Sequence, residues 1–81
     1  MGSALLTRRS VTAWLLSNGF RSRVGKSGHL YYEHPASGVK IVMPGHGRPT
    51  LSKRIASQVL RTLGRIGFDR ARVRAEMRGL A

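Results

Sequence analysis

The strongest constraint on the fold is a pair of strand-like segments, residues 29–34 and 39–43, each bounded by residues that favour turns. The second segment is rich in β-branched side chains, and Pro44 ends it. Between the two lies the sequence Pro-Ala-Ser-Gly at residues 35–38, which is typical of a turn. The pattern therefore predicts an antiparallel β-hairpin.

A third strand is expected immediately before this hairpin. Residues 20–24 alternate apolar with polar side chains, as a half-buried strand does, and residues 25–28 favour a turn. Alternation in the next strand divides its side chains between two faces, with His29, Tyr31 and Glu33 on one and Leu30, Tyr32 and His34 on the other. One face of the predicted sheet therefore carries ionisable groups.

The first helix is predicted by an amphipathic pattern that follows a capping residue. Thr7 is suited to cap the N-terminus, and Val11, Trp14 and Leu15 have the i, i+3, i+4 spacing of one buried helix face. Gly19 suits the left-handed conformation with which many helices end. Because Trp14 shares its stripe with aliphatic side chains, we expect it to pack in the core rather than to stack on a base.

A second helix is expected after a loop at residues 44–49. Either Thr50 or Ser52 can cap it, and Gly64 is expected to end it. Its apolar side chains recur at helical spacing and form one stripe, which consists of Leu51, Ile55, Val59, Leu60 and Leu63.

The last segment, residues 67–81, permits two interpretations. Asp69 can begin a short helix through Met77, in which Val73 and Met77 lie four residues apart on one face. The density of arginines in the same segment also fits a flexible basic extension. Both interpretations remain open from the sequence.

These elements predict a single α+β domain over residues 1–81. Its order is α-β-β-β-α, with an antiparallel three-stranded sheet and two helices on one face, which is the arrangement of the double-stranded-RNA-binding-domain fold. A chain of this length buries only a modest core. The fold alone does not define the function.

Charge is the broadest indication of function. The chain has 15 Lys and Arg against 3 Asp and Glu, which gives a formal net charge of +12. Self-repulsion on this scale opposes compaction and favours a polyanionic partner. RNA is therefore the first candidate partner.

Several other classes of protein are disfavoured by the composition. The absence of cysteine excludes a disulfide framework and a thiolate metal site. Three histidines without a supporting group of carboxylates give little reason to propose a metal, and we expect no small-molecule cofactor. No apolar run approaches the roughly 20 residues of a membrane span, and residues 1–6 lack the long apolar stretch of a secretory signal. We therefore expect a cytoplasmic protein with no membrane partner.

His29 is the candidate catalytic residue, because a basic, glycine-flanked turn delivers it onto a strand. RNA is cleaved without metal when a base removes the 2′-hydroxyl proton, the resulting oxygen attacks the adjacent phosphate, and an acid protonates the departing 5′-oxygen. Histidine suits either role, since its ordinary pKa of about 6.5 keeps both forms available near neutrality.

The residues around His29 supply the groups expected to bind RNA. Cations would hold the phosphate and offset the negative charge gained in the transition state, and backbone N–H groups of the turn would add donors. An aromatic hydroxyl on the same face would orient the substrate or assist proton transfer. These candidates are Arg23, Lys26, Ser27, Gly28, Tyr31 and Lys40.

The other two histidines receive different interpretations. His34 is expected to be structural, because it should point away from His29 and adjoins a turn proline. The role of His46 is left undecided.

The chain resembles the HicA family of small toxins, which are messenger-RNA interferases encoded beside HicB antitoxins. The similarity covers residues 7–66 and leaves residues 67–81 outside. It depends on features that follow one another in the family's order: Asn18-Gly19-Phe20, the basic turn into His29, the strand end at His34-Pro35, Pro44-Gly45-His46, and the helix end at residues 59–64.

The resemblance implies that His29 stands in the position of that family's catalytic histidine and that a HicB-like antitoxin binds the chain. One departure is the order Ser27-Gly28-His29, where the family typically has Gly-Ser-His. A role assigned to the family's serine is therefore not transferred to Ser27.

The sequence thus predicts a toxin of a toxin–antitoxin pair, a metal-independent endoribonuclease that cleaves messenger RNA. The main alternative is a non-catalytic RNA-binding module on the same fold. A DNA-binding or structural interaction protein is less favoured, because the second helix has few polar side chains for reading bases: Ser57, Gln58 and Thr62.

Overall fold

The computed structural model describes residues 6–25 and 28–80. The elements are α1 (Arg8–Ser17), β1 (Arg21–Val24), β2 (His29–His34), β3 (Val39–Pro44), α2 (Lys53–Arg65) and α3 (Arg70–Gly79). The strands form one antiparallel sheet in the order β1-β2-β3. The predicted α+β class and α-β-β-β-α order are confirmed, and a third helix follows the predicted elements.

Helix α1 begins and ends as its sequence predicts. The Thr7 side chain accepts a hydrogen bond from the Ser10 N–H, and Gly19 adopts a φ of 88° after the helix. Trp14 is only 2% exposed and lies with Leu15 in the hydrophobic core. Packing, rather than base stacking, therefore accounts for Trp14.

The sheet has one face against the helices and one open face. On the covered face Tyr32 is 3% exposed, and its hydroxyl lies 2.8 Å from the Thr12 hydroxyl of α1. In the β2–β3 register His29 pairs with Pro44 and Glu33 pairs with Lys40. Because side chains alternate along a strand, His29 and Glu33 share the open face.

Helix α2 is capped by Ser52, whose side-chain oxygen accepts a hydrogen bond from the Ile55 N–H at 3.2 Å. The prediction that Gly64 ends this helix is wrong: the helix continues to Arg65, and Gly67, with a φ of 105°, provides the left-handed residue. Gly64 instead allows close packing, since a Cβ there would lie 3.2 Å from Cγ of Arg70.

Residues 70–79 form a helix that belongs to the same core. The Asp69 carboxylate accepts hydrogen bonds from the N–H groups of Ala71 and Arg72 and so caps α3. Val73 and Met77 are buried together with side chains of α1 and α2. The structure therefore agrees with the first of the two interpretations of this segment, a short helix.

Across residues 6–25 and 28–80, no helix combines the length and apolar character needed to cross a membrane.

Candidate functional site

His29 is the first residue of β2 and is exposed to solvent. The preceding residue, Gly28, has a φ of 73°, a left-handed conformation that glycine adopts without strain. The ring of Tyr31 lies on the same face, with its centroid 6.5 Å from that of His29. The predicted pairing of an accessible imidazole with a neighbouring phenol is therefore present.

A shallow depression of about 290 Å³ lies beside Tyr31 on the open face of the sheet. Its charged lining consists of Arg23 from β1, Glu33 from β2 and Lys40 from β3. Three strands thus bring together side chains that are as far apart as residues 23 and 40. The sheet places both cations where an anionic substrate reaching Tyr31 would meet them.

Tyr31 is held over the backbone of Gly25. A Cβ built on Gly25 would overlap the Tyr31 ring, so only glycine fits beneath it. Gly25 therefore has a steric role that the prediction of a turn at residues 25–28 does not include. The half-buried ring packs on this backbone, and it forms one wall of the depression.

Glu33 is the residue of this surface that sequence analysis did not include in the site. Its Oε1 lies 3.5 Å from a guanidinium nitrogen of Arg23, and the two side chains are 33% and 63% exposed. An ion pair so exposed contributes little to stability. The pair places a carboxylate beside one of the two cations of the depression. The alternation of β2 was the signal that could have identified Glu33.

His46 lies at the same end of the sheet as His29. A Cβ on Gly28 would be 3.2 Å from Cδ2 and 3.4 Å from Nε2 of His46, so the ring rests against the turn that precedes His29. The loop backbone is also close, because a Cβ on Gly45 would overlap the Gly28 carbonyl oxygen. The structure therefore brings a second imidazole next to the candidate catalytic turn.

Arg8 holds the loop that carries His46. Its Nε donates to the Pro44 carbonyl at 2.9 Å, and one terminal nitrogen donates to the carbonyls of His46 and Arg48 at 2.9 and 2.7 Å. The Arg8 backbone N–H adds a bond to the Pro49 carbonyl at 2.8 Å. Arg8, at the start of α1, thus holds the loop at residues 44–49 in place. The sequence alone gave no sign of this role.

His34 lies on the covered side of the sheet. Its Nδ1 is 2.8 Å from the Ser37 hydroxyl, and its ring centroid is 4.9 Å from that of the buried Phe20. These contacts fasten the turn between β2 and β3 to the core. They place His34 apart from His29, as the alternation of the strand predicts.

Two of the candidate binding residues, Lys26 and Ser27, lie outside the described residues. Of the remaining candidates, the structure brings Gly28, His29, Tyr31 and Arg23 together at one end of the sheet. Lys40 shares the open face, but it pairs with Glu33 at the opposite end of the β2–β3 hairpin and approaches Tyr31 only across the depression. Within the described part of the chain, no group of three or more His, Asp or Glu side chains is arranged to hold a metal ion.

Comparison of the chain with protein-family models, with curated proteins and with solved structures found no match.

Proposed function

We propose that this protein is a metal-independent endoribonuclease that cleaves messenger RNA with His29 as a proton-transfer group, and that it acts as the toxin of a HicA-type toxin–antitoxin pair. The observation that carries the proposal is the exposed His29 ring beside Tyr31, next to a depression lined by Arg23 and Lys40. The resemblance to HicA adds the biological role.

The proposed reaction is an intramolecular transesterification. A base takes the proton from a ribose 2′-hydroxyl, the 2′-oxygen attacks the adjacent phosphorus, and the bond to the 5′-oxygen breaks as an acid protonates that oxygen. The products are a 2′,3′-cyclic phosphate and a 5′-hydroxyl end. An imidazole performs either proton transfer near neutral pH.

The surrounding groups serve the substrate rather than the proton transfer. Arg23 and Lys40 lie on the strands that flank β2, so they would contact phosphate oxygens on both sides of Tyr31. Tyr31 offers a ring, packed on the Gly25 backbone, on which a base can stack, an interaction that tolerates any base. Lys26, Ser27 and Gly28 are proposed to contribute further donors from the turn.

His46 is proposed for the second proton transfer. The reaction requires one group that accepts a proton and one that donates it, and His46 is the imidazole that rests against the turn of His29. Its position is fixed by the hydrogen bonds of Arg8 to the loop backbone. Of two histidines near one phosphate, one would act as base and the other as acid.

The proposed partner is an acidic, HicB-like antitoxin that covers the His29 end of the sheet in the cytoplasm. Complementary charge accelerates association with a protein of net charge +12, and covering the site is the simplest way to exclude RNA. We expect a bound partner to protect His29 from an imidazole-modifying reagent and to stop cleavage. Unchanged modification and cleavage in the complex would rule out this inhibition.

A non-catalytic RNA-binding module is the second candidate function. It is favoured by the same depression, because two cations and a tyrosine ring bind RNA whether or not His29 reacts. The two functions differ only in the chemistry assigned to the imidazole.

Incubation of purified protein with RNA in excess chelator distinguishes them. We expect cleavage by the wild type, 2′,3′-cyclic phosphate ends on the fragments, and no cleavage by His29→Ala. His34→Ala is the matched control, since His34 lies on the opposite face. Binding without cleavage by the wild type would assign the protein to the binding-module class.

A further inference from the structure

A groove of about 530 Å³ runs between α2 and α3, and four arginines line it. Arg61 projects from α2, and Arg70, Arg74 and Arg78 project from α3. We call this feature the arginine groove. Its residues come from the two helices, whereas the His29 site is built on the sheet and its turns.

The three arginines of α3 form a regular row. Residues four positions apart on a helix lie on the same face, about 6 Å apart along the axis. Like charges at this spacing destabilise a helix, and Arg61 adds a fourth charge from the facing side. A ligand with a regular series of negative charges would relieve this repulsion.

The chain has no carboxylate side chain free to relieve it. Its 3 acidic residues are Glu33, Asp69 and Glu76. Glu33 faces Arg23 on the sheet, the Asp69 carboxylate caps α3, and Glu76 accepts hydrogen bonds from Trp14 and Arg72. Among the residues that the structure describes, the arginine groove therefore has a cationic lining with no carboxylate side chain as counterion.

The helix that carries the row is also anchored in the core. Val73 and Met77 anchor the other face of α3 in the core, and the Trp14 indole N–H donates to Glu76 at 2.8 Å. Near the start of the helix, the side-chain stem of Arg70 packs against Gly64. Because the backbone that carries the arginines is already ordered, ligand binding costs only the conformational entropy of their side chains.

The chemistry of the lining favours phosphate over protein. Guanidinium groups bind phosphate oxygens with two parallel hydrogen bonds. An acidic protein helix would need apolar pockets for its anchor side chains, and the apolar lining is limited to Leu60, which is 2% exposed, and to Ala71 and Ala75. No aromatic ring of the described residues lines the groove, so contacts would be to the RNA backbone rather than to bases.

We infer that the arginine groove is a second nucleic-acid site, which binds the sugar–phosphate backbone of RNA independently of base sequence. The inference rests on the proposed function only in its choice of RNA as the polyanion. It adds an anchoring surface separate from the His29 site, and three of its four arginines belong to the segment that lies outside the HicA resemblance.

The test is RNA binding by the triple variant Arg70→Gln/Arg74→Gln/Arg78→Gln of the full chain. Glutamine keeps a helix propensity close to that of arginine, and circular dichroism melting checks that the variant is folded. Both the variant and its reference carry His29→Ala, so that RNA stays intact. Fluorescence anisotropy with a labelled oligouridylate measures the dissociation constant over a salt series.

We expect the triple variant to bind at least about tenfold more weakly. The slope of log affinity against log salt should fall by about 2, since each phosphate contact with a single strand contributes about 0.7. The control Arg9→Gln/Lys53→Gln/Arg54→Gln removes the same charge from exposed positions outside the groove and should lose clearly less affinity. Equal losses in the two triple variants would overturn the inference, because binding would then follow net charge alone.

Polyglutamate of matched charge tests the class of ligand. Stronger binding of oligouridylate than of polyglutamate, with the preference removed in the groove variant, supports the assignment to a phosphate backbone. Equal or stronger binding of polyglutamate overturns it. Because these measurements use His29→Ala, their outcome does not depend on cleavage, and loss of the proposed nuclease activity would leave them unaffected.

Discussion

The indole N–H of Trp14 donates a 2.8 Å hydrogen bond to Oε1 of Glu76, a residue 62 positions later in the chain. The bond joins α1 to α3 at the edge of the core, where the Phe68 ring also packs edge-on against Trp14 with centroids 5.1 Å apart. It satisfies the one polar atom of a side chain that is otherwise buried. Glu76 is therefore a structural carboxylate in a chain that has few of them.

Glu76→Ala is expected to destabilise the protein by about 1–3 kcal/mol, because the Trp14 N–H would be left without an acceptor. Urea unfolding followed by Trp14 fluorescence measures the change. Glu76→Gln keeps an acceptor oxygen and should recover most of the loss. Glu33→Ala is the control, since its ion pair is exposed and should contribute less than about 1 kcal/mol. Similar losses for the two alanine variants would contradict the structural role of Glu76.

His29→Ala should reduce RNA cleavage by about 10²–10⁴-fold or more, the range typical of general acid–base catalysis, while leaving the melting temperature unchanged. Divalent metal should not restore the rate. The wild-type rate should change with pH between about 5 and 8, where imidazole changes charge. Ser27→Ala should have only a modest effect, because the Ser-Gly order departs from that of the HicA family. Cleavage by His29→Ala at the wild-type rate would remove the mechanism.

His46 and Arg8 should affect cleavage in different ways. His46→Ala should slow cleavage and remove one limb of the pH profile, because it deletes one of two proton-transfer groups. Arg8→Ala removes three hydrogen bonds to loop carbonyls and should cost on the order of 1–3 kcal/mol of stability. Hydrogen exchange at residues 44–49 should rise in Arg8→Ala but not in His46→Ala. An unchanged pH profile in His46→Ala would exclude it from proton transfer.

Gly25→Ala should displace the Tyr31 ring, because the added methyl group would overlap it. We expect weaker RNA binding together with slower cleavage, and a shift in the Tyr31 ring resonances in NMR spectra. Gly79→Ala is the matched control, since a Cβ there meets no neighbouring atom and alanine favours a helix. Equal behaviour of the two variants would show that the Tyr31 position does not matter.

Local pattern was sufficient for much of the fold. The Thr7 cap, the Gly19 helix exit and the strand at residues 29–34 are all specified by neighbours in sequence, and the structure has them where the pattern predicts. The hairpin turn at residues 35–38 also sets the register that pairs His29 with Pro44. Once that register is known, the approach of His46 to the turn of His29 follows, because His46 lies two residues after Pro44.

The features that the sequence did not predict depend on contacts between residues far apart in the chain. The pattern of α3 offers only Val73 and Met77 as buried positions, and its arginines fit a disordered tail equally well. The hydrogen bond between Trp14 and Glu76 helps to hold α3 in place, and no local sequence pattern predicts a contact between residues so far apart in the chain. Gly64 looked like a helix end because glycine commonly ends helices, whereas here it permits contact with Arg70. The role of Arg8 likewise depends on carbonyls that lie far along the chain.

The burial of Val73 and Met77 has a consequence for biosynthesis. A ribosome releases α1, the three strands and α2 before α3, so the first elements emerge while the core still lacks these two side chains. Domains fold as units during synthesis, and here the unit includes α3. The nascent chain therefore reaches its native packing only after α3 has been made, and α1 and α2, which pack on the sheet, gain their contacts with α3 at that same late stage.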